Sequence, residues 1–381
     1  MGVVVFDHVD IISTQFVAGM WVFAALSVLL AARALRRSYR ARFVRSVASA
    51  LCALSVIGLA SADTVNAHFA FLPTAGDVRS ALTGDREWID SQRLSDLTIV
   101  QQRRAVRAGA VLRMTMPADA ANGFAHSTAI AYLPPQYFAD PAARFPVVYL
   151  FHGSPGRPAD WFHGGGAATV GRELALRGYP TILVAPQLSH DWTDDPECVD
   201  GAKEKVESHV LDTVIPTIDA TFRTRADRDS RVFAGMSAGG YCALNLGLRN
   251  RGAVATIVDM SGFTEPTHAG GVTKVFGATP RGRAAAAANS PRSYAGQLPA
   301  GPGTRVWLDT GSDDKTVMRE MSKLAPVLMS RGLDVQWRVR SGGHTFWVWT
   351  AALQEALPWA VCGHPGKPSH NPSRMGPEPR I

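Results

Sequence analysis

The chain has 381 residues, a formal net charge of +7 and an apolar fraction of 46%, enough for one large domain or two modest ones with a substantial core. Much of the positive excess lies at the N-terminus and in the tail, and no basic stripe with interleaved aromatics crosses the body, so the charge is not read as a nucleic-acid surface. Four cysteines, Cys52, Cys198, Cys242 and Cys362, form no CxxC pair, which argues against a zinc site.

Residues 11–32 contain no charge and are about long enough to cross a bilayer as a helix. Residues 46–62 form a second, shorter uncharged run. Between them lie Arg33, Arg36, Arg37, Arg40, Arg42 and Arg45, and no acidic residue occurs from 11 to 62. Arginines between two apolar spans belong on the cytoplasmic side. The simplest topology for 1–62 is therefore a membrane hairpin that places everything after Asp63 outside the cytoplasm. Two rivals stand beside it. One is a buried helical hairpin, disfavoured by the unpartnered arginines. The other is a signal peptide with 47–59 as its apolar core and Ala60-Ser61-Ala62 as its cleavage site, awkward after an earlier span.

Residues 63–107 read as a mixed connector with a helix-prone stretch at 86–94. From 108 to 362 the pattern is that of one catalytic domain. Two alternating strands, 111–116 and 127–133, flank a polar turn at 119–122. Strands at 146–151, 181–185, 232–235, 254–260, 305–309 and 335–339 then alternate with helices at 168–177, 203–222, 316–331 and 346–360, the second carrying a kink at Pro216. Such alternation predicts an α/β fold, a mostly parallel sheet with helices on both faces. The irregular stretch 264–303, helix-prone at 283–288, is either a cap over the active site or a surface excursion. Residues 363–381 are rich in Pro and Gly without apolar periodicity and read as a disordered tail.

Gly235-Met236-Ser237-Ala238-Gly239 has the pattern Gly-x-Ser-x-Gly between a β-prone run and a helix-prone run. A serine on so tight a turn needs small neighbours, because a Cβ at either flank would clash. The turn exposes the hydroxyl at a helix N-terminus, where negative charge is favoured. Both Cys198 and Cys242 should lie near this turn; a disulfide between them and free thiols are the two readings. A serine hydroxyl needs a base, and the base an orienting acid, in the chain order Ser, Asp or Glu, His. Among the eleven histidines, His344 has the best context, in Ser341-Gly342-Gly343-His344 just after the last strand. The acid is expected in the loop Gly311-Ser312-Asp313-Asp314, with Asp314 preferred, Asp313 close behind and Asp309 read as a strand-end residue. Oxyanion donors are expected at the amide of Ala238 and at that of Ser154, in the loop His152-Gly153-Ser154 after an apolar strand. The run His163-Gly164-Gly165-Gly166 is the second candidate for that loop.

These residues together resemble the α/β-hydrolase superfamily, and within it the branch that holds esterase D, ferric-enterobactin-type esterases and the mycolyltransferases. The resemblance spans 109–361 and rests on 145–153, 214–223, 235–244 and 343–347. It implies an α/β-hydrolase fold, Ser237 as nucleophile, His344 as base, and Ser154 and Ala238 as oxyanion amides, with His152, Gly153, Gly235 and Gly239 supporting them. It departs from the mycolyltransferases, whose acid is a glutamate. The expected activity is that of a membrane-anchored extracytoplasmic serine esterase acting on a lipid or envelope ester, acyl or aminoacyl, through an acyl-enzyme. Such chemistry calls for no metal or organic cofactor. Acyl transfer to an alcohol and a non-catalytic envelope-binding module are the alternatives.

Overall fold

The computed structural model describes residues 9–35, 42–83, 88–191, 193–268, 270–301 and 303–362. The expected disordered tail therefore lies outside the described residues, as do Arg36, Arg37 and Arg40. Two long helices open the chain, α1 (Thr14–Leu35) and α2 (Arg42–Phe69). They contain apolar stretches at Thr14–Arg33 and Val47–Phe69, each long enough to cross a bilayer. The helices pack on each other through Ala24, Val56 and Ala60. Only 11% and 17% of the most apolar window of each stretch is buried, so this chain does not enclose the pair in a core of its own. Leu26, Leu30, Leu54 and Leu59 all face outward. The second helix runs to Phe69, past the end of the uncharged run, because Asp63 stands inside it rather than after it.

The nine-stranded sheet is built from β1 (Ile89–Asp90), β2 (Ala110–Thr115), β3 (Thr128–Leu133), β4 (Val147–Phe151), β5 (Ile182–Pro186), β6 (Arg231–Met236), β7 (Thr256–Met260), β8 (Arg305–Gly311) and β9 (Asp334–Arg340). Their order across the sheet is β1-β2-β3-β5-β4-β6-β7-β8-β9. From β5 to β9 every pairing is parallel, while β3 is antiparallel to both β2 and β5. The central strands β4 and β5 are apolar throughout because both of their faces are covered. Along β4, Val147, Tyr149 and Phe151 enter one core, and Val148 and Leu150 enter the other. Helices Ala238–Arg249 and Lys315–Ser330 cover the first face. Helices Ala167–Leu176 and Phe346–Cys362 cover the second. This three-layer arrangement is the α/β-hydrolase fold.

Two sequence expectations need correction, while the helix-prone part of 264–303 is indeed helical. Ile89–Asp90, inside the helix-prone stretch, is a short strand paired with β2. The helix expected over 203–222 begins at Val206, and its middle, His209–Val214, is widened to a π-helix. The widening immediately precedes Pro216, which has no N–H to offer the preceding turn. The stretch 264–303 forms three short helices, Thr273–Phe276, Pro280–Ala288 and Pro291–Tyr294. It docks on the outer side of the Ala238–Arg249 helix, where Tyr241 Oη donates to Asn289 O at 2.7 Å and Tyr294 Oη to Asn245 Oδ1 at 2.9 Å.

Candidate active site

Parallel strands bring their C-terminal ends to one edge of the sheet, where the loops of an open α/β sheet meet. Ser237 follows β6, Ser154 follows β4, Asp314 follows β8 and His344 follows β9. Sequence-distant groups thus converge because the register aligns strand ends. Gly235 pairs with Phe151 across β4 and β6, and Met260 with Asp309 across β7 and β8.

Ser237 has φ 55° and ψ −127°, a left-handed conformation that a side chain rarely adopts. It is held there by its own N–H bonded to Met260 O at 2.9 Å and its carbonyl accepting from Gly240 N at 2.8 Å. Both flanking glycines are required by close approach. A Cβ on Gly235 would overlap the Gly239 carbonyl, and one on Gly239 would overlap that of Phe151. Ala238 opens the helix, so its N–H has no acceptor within that helix. Beneath the turn, the fully buried Asp259 accepts from Gly262 N at 2.7 Å, and burial pushes its carboxyl well up.

His344 Nε2 lies 2.7 Å from Ser237 Oγ, and its Nδ1 lies 2.6 Å from Asp314 Oδ2. A carboxylate can only accept, so Nδ1 carries the hydrogen and Nε2 is left to accept from the serine hydroxyl. The imidazole is packed edge-on against Trp349, with centroids 4.9 Å apart. Asp313, next to Asp314, instead accepts from Ser312 Oγ at 3.2 Å, and its N–H is bonded to Gly342 O. Asp309 is fully buried under the forked guanidinium of Arg340, at 2.7–2.9 Å, and also accepts from Trp307 Nε1.

The loop after β4 is braced from below. His152 is buried, and burial pulls its pKa down, so the ring is neutral. Its Nδ1 pairs with Gly153 O at 2.9 Å and its Nε2 accepts from Leu188 N at 3.3 Å. Ser154 Oγ donates to Asp194 O at 3.3 Å. Nearby, a disulfide joins Cys198 to Cys242 and thereby ties the 195–199 loop to the helix that Ser237 caps. Within that loop, burial first and the neighbouring Asp195 second push the Glu197 carboxyl up to about 8. The alternative loop His163–Gly166 is elsewhere. Gly164 lies against the end of α2, where a Cβ would come 2.6 Å from Ala70 O and 2.9 Å from Phe71 O. Its glycine admits the helix end rather than an oxyanion.

A cavity opens at the serine, lined by Ser237, His344, Gly153, Ser154 and Asp160, with Met236, Phe346, Trp349, Phe69 and Phe71 as its apolar wall. None of the described residues of 264–303 lines it, and Thr267 N donates to Glu197 Oε1 at 2.6 Å in the neighbouring loop. Sequence reasoning missed Asp160, Trp349 and the two phenylalanines. Asp160 caps the loop by accepting from Arg157 N at 2.8 Å, and burial pushes its carboxyl up. The only sequence sign of the phenylalanines was an aromatic pair a few residues past the second uncharged run. A separate surface depression, under Arg228, Arg251 and Tyr294, lies at the opposite end of the sheet, where Arg228 and Thr304 precede their strands.

A second serine, histidine and carboxylate meet elsewhere. His209 Nδ1 is 2.7 Å from Asp119 Oδ2, and its Nε2 is 3.5 Å from Ser127 Oγ. Ser127 and His209 are buried and Asp119 is half-buried, with Phe124 stacked on the ring at 3.9 Å.

A family model described as "Putative esterase" matches residues 125–360, well over half of the chain. The protein belongs to this esterase family. An uncharacterized protein of Corynebacterium glutamicum is 27% identical over 359 residues, covering 90% of this chain and 80% of that protein. An esterase of Mycobacterium tuberculosis is 31% identical over 129 residues, 34% of this chain and 27% of that one. Among solved structures, a ferulic acid esterase covers 67% of this chain and 98% of its own at TM-score 0.58 and 22% identity. The S-formylglutathione hydrolase of Agrobacterium tumefaciens covers 67% and 95% at TM-score 0.55 and 17% identity. At that identity the structural likeness speaks for the fold, and the family match makes this chain a hydrolase.

Proposed function

We propose that the protein is a membrane-anchored serine esterase whose catalytic domain faces away from the cytoplasm, with Ser237, His344 and Asp314 as nucleophile, base and acid. The observation that carries the reading is the line of hydrogen bonds from Ser237 Oγ through His344 to Asp314, set on a strained turn that opens into a cavity. Ser237 Oγ attacks the ester carbonyl carbon while its proton passes to His344 Nε2. Asp314 stabilises the imidazolium that results. Negative charge gathers on the carbonyl oxygen, to which the N–H groups of Ala238 and Ser154 donate, each contributing ~10²–10³ in rate. The tetrahedral adduct collapses, the carbon–oxygen bond to the alcohol breaks, and His344 returns the proton to the leaving oxygen. Water, deprotonated by His344, then releases the acid from Ser237.

The two apolar spans support anchoring, and the arginines between them support an outward-facing catalytic domain. The Cys198–Cys242 disulfide fits an oxidising compartment. Two measurements test the reading. A fluorophosphonate probe should label the wild-type protein and not Ser237→Ala. A membrane-impermeant protease added to intact cells should degrade the catalytic domain; full protection would remove the proposed orientation. Product analysis in the presence of an added alcohol separates hydrolysis from acyl transfer.

A further inference from the structure

The second apolar helix does not end in solvent. It ends at the serine. Phe69 is its last residue, and Phe69 and Phe71 line the same cavity as Ser237 and His344. The two rings touch each other, with centroids 5.7 Å apart, and Phe71 meets Phe346 edge-on at 5.1 Å. The bend that turns them onto the catalytic domain is built, not incidental. Ala70 takes a left-handed conformation with φ 57° and is buried. Asn66 brackets the bend, its Nδ2 donating to Leu72 O and its Oδ1 accepting from Leu72 N, both at 2.9 Å. Gly164 supplies the space into which the Ala70 and Phe71 carbonyls fit. The segment after the bend is pinned in turn, with Ile11 N donating to Pro73 O at 3.1 Å and Ala75 N to Val9 O at 3.0 Å.

A helix that spans a bilayer leaves it at the level of its last apolar turn. With α2 as a span, the wall formed by Phe69 and Phe71 lies at the end of the helix that leaves the bilayer, just beyond its polar last turns with Asp63, Asn66 and His68. Among the described residues, Asp160 is the one ionisable side chain lining the cavity besides His344. An acyl chain laid along the aromatic wall removes apolar surface from water, whereas a short polar acyl group leaves that wall unused. Resting on the Ser237 esterase reading, we propose that the end of the membrane anchor is the acyl-binding wall of the active site. The substrate is then an ester of a bilayer-resident lipid, met at the membrane surface.

The test uses the full chain in phosphatidylcholine proteoliposomes. Methylumbelliferyl oleate held in the bilayer is compared with methylumbelliferyl acetate in water. The readout is the oleate-to-acetate ratio of kcat/KM. The paired change Phe69→Ala and Phe71→Ala should lower that ratio about tenfold, in line with the loss of apolar contact to a bound chain. Gly164→Val, outside the cavity, should lower it in the same direction by displacing the helix end. Fluorophosphonate labelling of each variant shows that its serine site is assembled. An unchanged ratio in labelled variants overturns the acyl wall and leaves the esterase reading standing. So does a wild-type protein that cleaves acetate and ignores the bilayer ester. A wild-type protein that is not labelled at all overturns both.

Discussion

Ser237–His344–Asp314 and Ser127–His209–Asp119 contain the same three residue types in the same order of contact. Their histidine-to-carboxylate distances are nearly equal, 2.6 and 2.7 Å. What differs is everything around them. Ser237 sits on a strained turn at a helix N-terminus and faces a cavity, with His344 about one-third exposed. Ser127 precedes a regular strand, His209 has no exposed side-chain surface, and the serine contact is stretched to 3.5 Å. Asp119 also accepts from Thr213 Oγ1 at 2.7 Å and Asn122 Nδ2 at 3.2 Å, so it serves as a junction between a loop and the π-helical turn. The lesson is that a triad of side chains is not a site. A nucleophile needs a path for its substrate and N–H donors aimed at the charge that develops.

The comparison breaks or sharpens under mutation, and the largest effect should fall on the exposed set. Ser237→Ala should lower kcat/KM by about 10⁴-fold or more and abolish fluorophosphonate labelling, with little change in thermal midpoint. Retention of substantial activity in that variant would put the chemistry elsewhere. Next, Asp314→Asn should cost about 10³–10⁴ in kcat by loss of the correct imidazole tautomer. Asp313→Asn should cost less than about tenfold by the same steady-state assay, because its carboxylate bonds Ser312 rather than His344.

The buried set should answer through stability. His209→Ala removes the ring stacked on Phe124 and leaves Asp119 short of a partner, at a cost of about 2–4 kcal/mol in denaturant unfolding. Labelling of Ser237 should persist at temperatures where the variant is folded; its loss there would make His209 part of the chemistry. The smallest effect is one of pH. Burial holds the His209 pKa below its ordinary 6.5. Burial raises Asp119, but hydrogen bonds from His209, Thr213 and Asn122 outweigh it and hold the carboxyl below 3.8. Both pKa values are depressed in the folded state, so both contributions are present above the unfolded values and are lost on acidification. The unfolding free energy of the wild type should decline as the pH falls below about 6.5, and the gap between wild type and His209→Ala should narrow. A gap constant from pH 7 to about 5, measured by denaturant titration, would mean that the ring does not resist protonation.

Much of the fold was legible because its causes are local. The apolar runs at β4, β5 and β7 follow from burial on both faces, and they lie within two residues of their expected bounds. The Gly235 and Gly239 pattern was legible for the same reason, since the steric demand of the turn is met by its immediate neighbours. The π-helical widening at 209–214 was visible only as Pro216. Loop assignments were less legible. His163–Gly166 and His152–Ser154 look alike as glycine-bearing loops, yet one receives the end of α2 and the other borders the serine.

By itself, the sequence determined the alternation of strands and helices, the two apolar spans, and the chemical types available at the strand ends, because periodicity and turn sterics act between near neighbours. Only the tertiary structure decided which carboxylate meets His344, which glycine loop faces Ser237, that Phe69 and Phe71 at the end of α2 line the cavity, and that Ser127, His209 and Asp119 form a largely buried junction. Those outcomes depend on sheet register and helix docking, which join residues tens to nearly three hundred positions apart and leave no trace in local pattern.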